Sequence, residues 1–291
     1  MAAQTRAGVR LEANRIRPMI GRALPLGASD FLARQRMLII GGSDQSGRVW
    51  ASALYGEPGF IRVRDPYTLE IAAVPVDVDP LAEALRTGTR LGTLSIDFAR
   101  RRRLRVNGRV TPLPDGLLLS VDQAYGNCPQ YIQSRTAESA PRAGDRLASR
   151  STALGGPQQN MIATADTFFV ASLSTDGDAD VSHRGGNPGF VRVVTSNQLI
   201  WPDYHGNNML MTLGNIVENP AAGLLFVDWQ SATSLQLTGA ARINWDPQDD
   251  EAFPEANRVV EFESNQVVQI EHHYDGLTWS APGFSRFNPP V

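Results

Sequence analysis

Three residues in a row, Ser182, His183 and Arg184, are the first candidates for chemistry in this chain, and a second polar set, Asp203, His205, Asn207 and Asn208, follows them. An arginine offers a forked, charge-assisted donor to an oxyanion. The Asn pair stands where a helix is expected, over about 208–218, with Leu210, Leu213, Ile216 and Val217 as its apolar residues. The first N–H groups of a helix lack intrahelical acceptors, and its dipole favours negative charge there. An arginine one strand away would complete a phosphate site. On spacing alone, ordinary helix caps and a surface arginine account for the same residues, and the choice stays open at this point.

Other chemistries fit less well. Asp176, Asp178 and Asp180 imitate the start of a calcium loop, but Val181 and Asn187 stand where that loop needs Gly and Glu. His272 and His273 are adjacent, and neighbours on a strand point to opposite faces, so no metal site is expected. Cys128 is the one cysteine. It excludes an intrachain disulfide and a multi-cysteine zinc site, and it reads as a small buried hydrophobe. The order of residues defends no Ser-His-Asp arrangement, and neither a GxGxxG nor a P-loop pattern is present.

The elements that must carry these residues repeat. Pro58-Gly59-Phe60-Ile61-Arg62-Val63 returns as Pro188-Gly189-Phe190-Val191-Arg192-Val193, an offset of 130 positions that places Ser52 opposite Ser182. Further on, Gly92 answers Gly223 and the stretch from Leu104 to Gly108 answers that from Leu235 to Gly239, now at an offset of 131. A period this long is a domain rather than a solenoid unit. Each copy reads as short strands with one helix between the fourth and fifth. In the first copy that helix opens on Asp79-Pro80, Asp as cap and Pro at the first helical position. Frequent turns between short strands suggest a closed barrel. The expected division is 1–136 for the first copy, with a degenerate site, 137–160 for a Ser-, Arg-, Gly- and Pro-rich linker, and 161–291 for the second copy. Val259 to Ile270 alternates imperfectly and adds a possible strand. Where the second copy carries Ser182-His183-Arg184-Gly185, the first carries Ser52-Ala53-Leu54-Tyr55. The polar residues of the candidate site thus belong to one copy alone.

Composition limits the function classes. The 291 residues are 42% hydrophobic and 20% charged, with a net charge of −3. That is a foldable composition without bulk attraction to nucleic acid or anionic lipid. Neither a signal-peptide core nor an apolar run of membrane-spanning length is found, so a cytoplasmic setting is expected.

The run from Asp180 to Val193, the stretch Trp201-Pro202-Asp203-Tyr204-His205-Gly206-Asn207-Asn208, and Asn219-Pro220-Ala221-Ala222 resemble the pyridoxamine 5′-phosphate oxidase-like, FMN-binding split-barrel superfamily. The similarity is closest to the branch of predicted flavin-nucleotide-binding proteins. The first half, through Gly47 to Ser52 and Tyr125-Gly126-Asn127-Cys128-Pro129-Gln130-Tyr131-Ile132, looks like the N-terminal half of tandem members. The resemblance implies a mainly β fold, two tandem split β-barrels with few helices, and FMN as cofactor. It implies that Ser182 and Arg184, beside His183, hold the phosphate or ribityl chain. Trp201, Pro202 and Asp203 would line the ribityl and ring side, and Asn207 and Asn208 would bind phosphate. Family dimers reach the flavin from a partner strand, which in a tandem chain would be the first copy's, carrying Arg103 and Arg105. The implied activity is that of an FMN-dependent oxidoreductase with a small acceptor. A non-enzymatic flavin- or haem-binding module is the alternative, the haem version resting on His272 and His273. Pyridoxamine phosphate oxidation itself is not expected, because Asn207-Asn208 replaces a basic pair and the family's Arg-rich tail is missing. Nor does the chain carry the cysteines of an appended iron–sulfur module, so electrons would come from a small molecule or a donor protein. A homodimer could form on top of the intrachain pair.

Overall fold

The structure is a computed structural model that describes residues 2–126, 128–141, 145–246, 253, 255–274 and 276–290. Asn127 of the first-half motif lies outside the described residues. The chain opens on helices α1 (Ala2–Arg6), α2 (Arg10–Ile16) and α3 (Ala28–Leu32). Strands β1 (Met37–Ser43), β2 (Val49–Tyr55), β3 (Ile61–Asp65) and β4 (Thr68–Ile71) follow, then helix α4 (Ala82–Thr87) and strands β5 (Arg90–Asp97), β6 (Arg102–Leu113) and β7 (Gly116–Gly126). The stretch expected to be a linker carries β8 (Ala137–Ser139), β9 (Leu147–Ser151) and most of α5 (Gly156–Ala163). The second series runs β10 (Thr167–Leu173), β11 (Ala179–Gly185), β12 (Arg192–Val193), β13 (Gln198–Asp203), α6 (Met211–Glu218), β14 (Ala221–Val227), β15 (Ser234–Asn244) and β16 (Arg258–Glu271), with β17 (Leu277–Trp279) last.

The first sheet has the order β2-β1-β5-β6-β7-β4-β3, and the second has β11-β10-β14-β15-β16-β13-β12 with β9 added alongside β16. Strand for strand the orders are the same, and each sheet wraps its own core as a split barrel. One core holds Leu38, Ile40, Trp50 and Leu119, and the other holds Phe168, Trp201, Leu224 and Phe262. The imperfect alternation of 259–270 becomes a long strand, β16, which pairs with β13 and β15 as well as β9. Its middle alternates, with Glu263 and Asn265 exposed, while 258–260 and 267–268 are buried in runs.

A third core lies between the barrels, where Ile39, Ala51 and Leu94 meet Phe169, Val181 and Leu225. Two glycines let the sheets approach. A Cβ on Gly92 would lie 2.7 Å from the Asp180 Cα, and one on Gly223 would lie 2.5 Å from the Trp50 Cα. These are equivalent pairs under the repeat, so the same close contact is made twice. The N-terminal helices pack on the second barrel as well, where the Gln4 side-chain amide donates to the Met209 carbonyl at 2.8 Å.

Both helices begin later than the sequence suggests. In the first half the Asp79 side chain accepts the Leu81 N–H at 2.8 Å, which forms a turn and puts the helix start at Ala82. In the second, Asn207 Oδ1 accepts the Met209 N–H at 3.2 Å, and α6 begins at Met211. Asn and Asp side chains compete with helix by closing such local turns.

Candidate functional site

Strand pairing builds the site from both halves. The Ser182 hydroxyl bonds the Thr212 hydroxyl, tying β11 to the first turn of α6. Asp203, at the end of β13, is set opposite Arg258 by the β13–β16 register, and the Arg258 Nε donates to it at 3.0 Å. Arg184 reaches the other Asp203 oxygen at 3.7 Å. From the first half, β6 sends Arg103 and Arg105 across the interface. Arg105 donates to both Asp180 oxygens, at 3.1 and 3.0 Å, and Asn107 and the Tyr125 hydroxyl donate to the same carboxylate. Arg103 Nη1 lies 3.4 Å from His183 Nδ1. Between these groups is a cleft of about 100 Å³, open to solvent on one side.

Nine of the ten residues singled out from the sequence line this one cleft; the tenth, Trp201, does not. Trp201 shares the inward face of β13 with Asp203 but lies deeper in the barrel, 5.3 Å from the Phe168 ring and 1% exposed. It is a core residue, because only the end of the strand reaches the barrel mouth. The cleft also takes Arg258, Tyr131, Tyr204 and Thr212, which sequence reasoning gave no role. Tyr131 and Tyr204 pack with ring centroids 5.3 Å apart, and the Tyr131 hydroxyl donates to the His205 carbonyl at 2.8 Å. Cys128 departs from the buried hydrophobe expected of it. It is half-buried at the cleft edge, with Sγ 3.2 Å from Gln130 Oε1.

The electrostatics are one-sided. Arginines 103, 105, 184 and 258 line the cleft with Asp203, and Asp180 lies behind Arg105, so four cations face two acids, a surplus of two positive charges. Burial opposes the Arg105 cation, but Asp180 and Tyr125 outweigh it and hold its pKa above the ordinary arginine value. Arg103 has no carboxylate within ion-pair distance among the described residues. Burial, with Arg105 and Arg184 beside it, pushes its pKa down to about 9. Burial also lowers Arg184, partly offset by Asp203. His183 is pushed well below its usual value by burial and then by the surrounding arginines, so the imidazole is neutral. An arginine can only donate. His183 Nδ1 therefore accepts from Arg103, which leaves the proton on Nε2.

Several polar atoms here are buried without a partner, among them Arg103 Nε, Arg184 Nε and His183 Nε2. Buried polar atoms are nearly always paired, and a cluster of orphaned donors asks for an acceptor. The loop before α6 adds to this. Asn208 and Leu210 both hold left-handed backbone, with φ of 58° and 51°. Leucine rarely accepts that conformation, and such strain gathers at ligand sites. Leu210 stands at the cap position without a side-chain acceptor, so the N–H groups of the first turn of α6 have no side-chain cap. Asn207 and Asn208 precede the helix by a turn instead of capping it.

The corresponding place in the first half is filled from within. Asp79, 3% exposed, accepts from the Ser52 hydroxyl and from the Gln236 amide at 3.0 Å. By the repeat, Ser52 answers Ser182 and Gln236 answers Arg105. His273 is buried beside them, its Nδ1 2.6 Å from the Ser234 hydroxyl. Asp178, one of the calcium-like acids, pairs with Arg90, as Asp180 does with Arg105. Among the described residues no group of three or more His, Cys, Asp or Glu is placed to hold a metal, and no helix is long and apolar enough to cross a membrane.

Fold and cleft together define a split-barrel protein with a cationic site between two barrels. Residues 157–272 match the family described as pyridoxamine 5′-phosphate oxidase. That segment runs from α5 to the end of β16 and so spans the second barrel. Among solved structures, it is similar to a putative pyridoxamine 5′-phosphate oxidase from Lactobacillus delbrueckii, with 18% identity over 40% of this chain and 94% of that one, at a TM-score of 0.32. An FAD-binding protein from Mesorhizobium loti has 14% identity over 43% of this chain and 98% of that one, at 0.30. An FMN-binding protein from Syntrophomonas wolfei has 5% identity over 38% of this chain and 81% of that one, at 0.30. No curated protein matches the chain.

Proposed function

We propose that the cleft binds FMN and that the chain is an FMN-dependent oxidoreductase. The observation that carries this reading is the positive surplus at the start of α6, with Arg103 lacking a carboxylate partner among the described residues. A phosphate dianion matches that surplus in charge, and the orphaned Arg103, Arg184 and His183 nitrogens match it in hydrogen bonding. Arg184, the Thr212 end of α6 and the Asn207–Asn208 loop hold the phosphate. Asp203 orients Arg184 and Arg258, and the neutral His183 presents an Nε2–H donor. Arg103 and Arg105 come from the first half, so the site needs both barrels. Bound flavin supplies hydride or electron transfer, and the protein supplies orientation and charge. Its reductant is a small molecule or a donor protein.

The test is the absorption spectrum of the purified chain, with titration of added FMN. Uptake near one FMN per chain is expected. Charge-assisted hydrogen bonds contribute about 1.5–3 kcal/mol each, so Arg184→Ala should weaken FMN by roughly ten- to hundredfold. A chain that neither carries nor takes up FMN refutes the reading.

A further inference from the structure

A groove of about 530 Å³ continues from the cleft toward the N-terminal helices and shares Arg103, Cys128, Asn207 and Met209 with it. One side is the start of β6, and the other is Ile16 at the end of α2 with Met19 just beyond it. Four consecutive arginines, 100 to 103, line it, and no acidic residue among the described ones does. Two of the four are engaged. Arg100 pairs with Asp97 at 3.0 Å, and Arg101 donates to the carbonyls of Ile132 and Gly283, both at 3.0 Å. Arg102 and Arg103 have no carboxylate partner among the described residues. The Arg102 guanidinium lies 6.0 Å from the centre of the Phe31 ring. Opposite these free cations the groove is apolar. Met19 is 60% exposed, and Ile16, Pro129 and Met209 continue the apolar side. The Gln4 bond to Met209 fixes the helices against the cleft loop. Exposed apolar surface facing an unpaired arginine is complementary to a molecule that is itself anionic at one end and apolar along its body.

We infer that this groove binds the reaction partner of the cleft as an organic oxyanion, its carboxylate or phosphate ester on Arg102 and its apolar body over Ile16, Met19 and Met209. Only the word partner rests on the flavin reading; binding in the groove does not. Because the groove opens into the cleft at Arg103, the far end of such a ligand reaches the cofactor position. Arg102 sets the charge of the ligand, and the methionines set the tolerance for its shape, since Met side chains repack readily.

The test is calorimetric titration of the full chain with naphthoate, neutral naphthamide and naphthyl phosphate, each with and without FMN, in the parent and in Arg102→Ala. Naphthoate or naphthyl phosphate should bind about tenfold more tightly than naphthamide, the size of one partly exposed charge-assisted contact. Arg102→Ala should erase that difference and leave FMN affinity unchanged. Whichever oxyanion binds more tightly assigns the carboxylate or the phosphate ester. Equal binding of the three probes, or discrimination that survives Arg102→Ala, overturns the inference while FMN binding stands. Discrimination without FMN uptake overturns the flavin reading and keeps the groove.

Discussion

Asp180→Asn separates the two jobs that charge performs at the junction of the barrels. Asp180 is 2% exposed, and its carboxylate receives Arg105, Asn107 and Tyr125, all from the first half. An asparagine keeps the shape but offers one acceptor oxygen, and turns an NH2 toward groups that donate. Arg105, 7% exposed, is left as a buried cation without its carboxylate. Removing one partner of a buried pair costs about 3–5 kcal/mol, a large part of an ordinary stability of about 5–15 kcal/mol. For a chain of this size the melting temperature should fall by roughly 10 °C. Anion binding should move the other way. The substitution deletes one of the two acids that balance the cleft, so the positive surplus grows. FMN, or inorganic phosphate as a simpler probe, should bind the folded variant at least as tightly as the parent. Thermal melts without ligand and titrations well below the transition read the two effects separately. A variant that melts within about 2 °C of the parent, or one that loses FMN as Arg184→Ala does, would show that Asp180 does not act as the interface clamp described.

Two further outcomes follow from the same geometry. Gly223→Ala and Gly92→Ala each force a Cβ against the backbone of the opposite barrel, at Trp50 and Asp180. Each should destabilise by about 1–3 kcal/mol or more in chemical denaturation, and unchanged midpoints would refute the close approach. Burial lowers the pKa of His183, with Arg103 adding to it, and lowers that of His273 against the pull of Asp79. The unfolded chain takes up these protons near the usual histidine value of about 6.5 while the folded chain does not. Stability is therefore complete above that pH and declines as the solution is acidified through it. Melts at about pH 7 and pH 5 should show the decline, and His183→Gln should reduce it; equal declines in variant and parent would exclude His183 as its source.

The repeat was legible because offsets of 130 and 131 survive in apolar and glycine positions that pack alike in both halves. The site was legible where local sequence carries it, as in Ser182 to Arg184 and Asn207 to Asn208. Arg258 was hidden because its partner Asp203 is set by strand register rather than by sequence distance. Trp201 misled because alternation tells which face a residue takes but not how deep along the barrel it lies. The start of α6 was displaced by a turn that Asn207 closes on Met209, a competition between side chain and helix that composition does not resolve. The stretch 137–160 read as a linker because its strands are short and exposed, and they pair with β16 and β17 from far along the chain.

The Asp79 network gives the two halves different dependence on their surroundings. The carboxylate that Ser52 and Gln236 hold is covalently part of the chain. It is present at every concentration of every solute, so the first half's site is filled without ligand once Gln236 of the second half is docked on it. On the proposed reading the second half draws its counter-charge from solution as FMN, and its stability then rises with the logarithm of FMN supply. Damage to the first half is beyond repair by feeding ligand, whereas damage to the second can be masked by abundance. On that reading one site is closed by the chain itself and the other gauges what the solution contains.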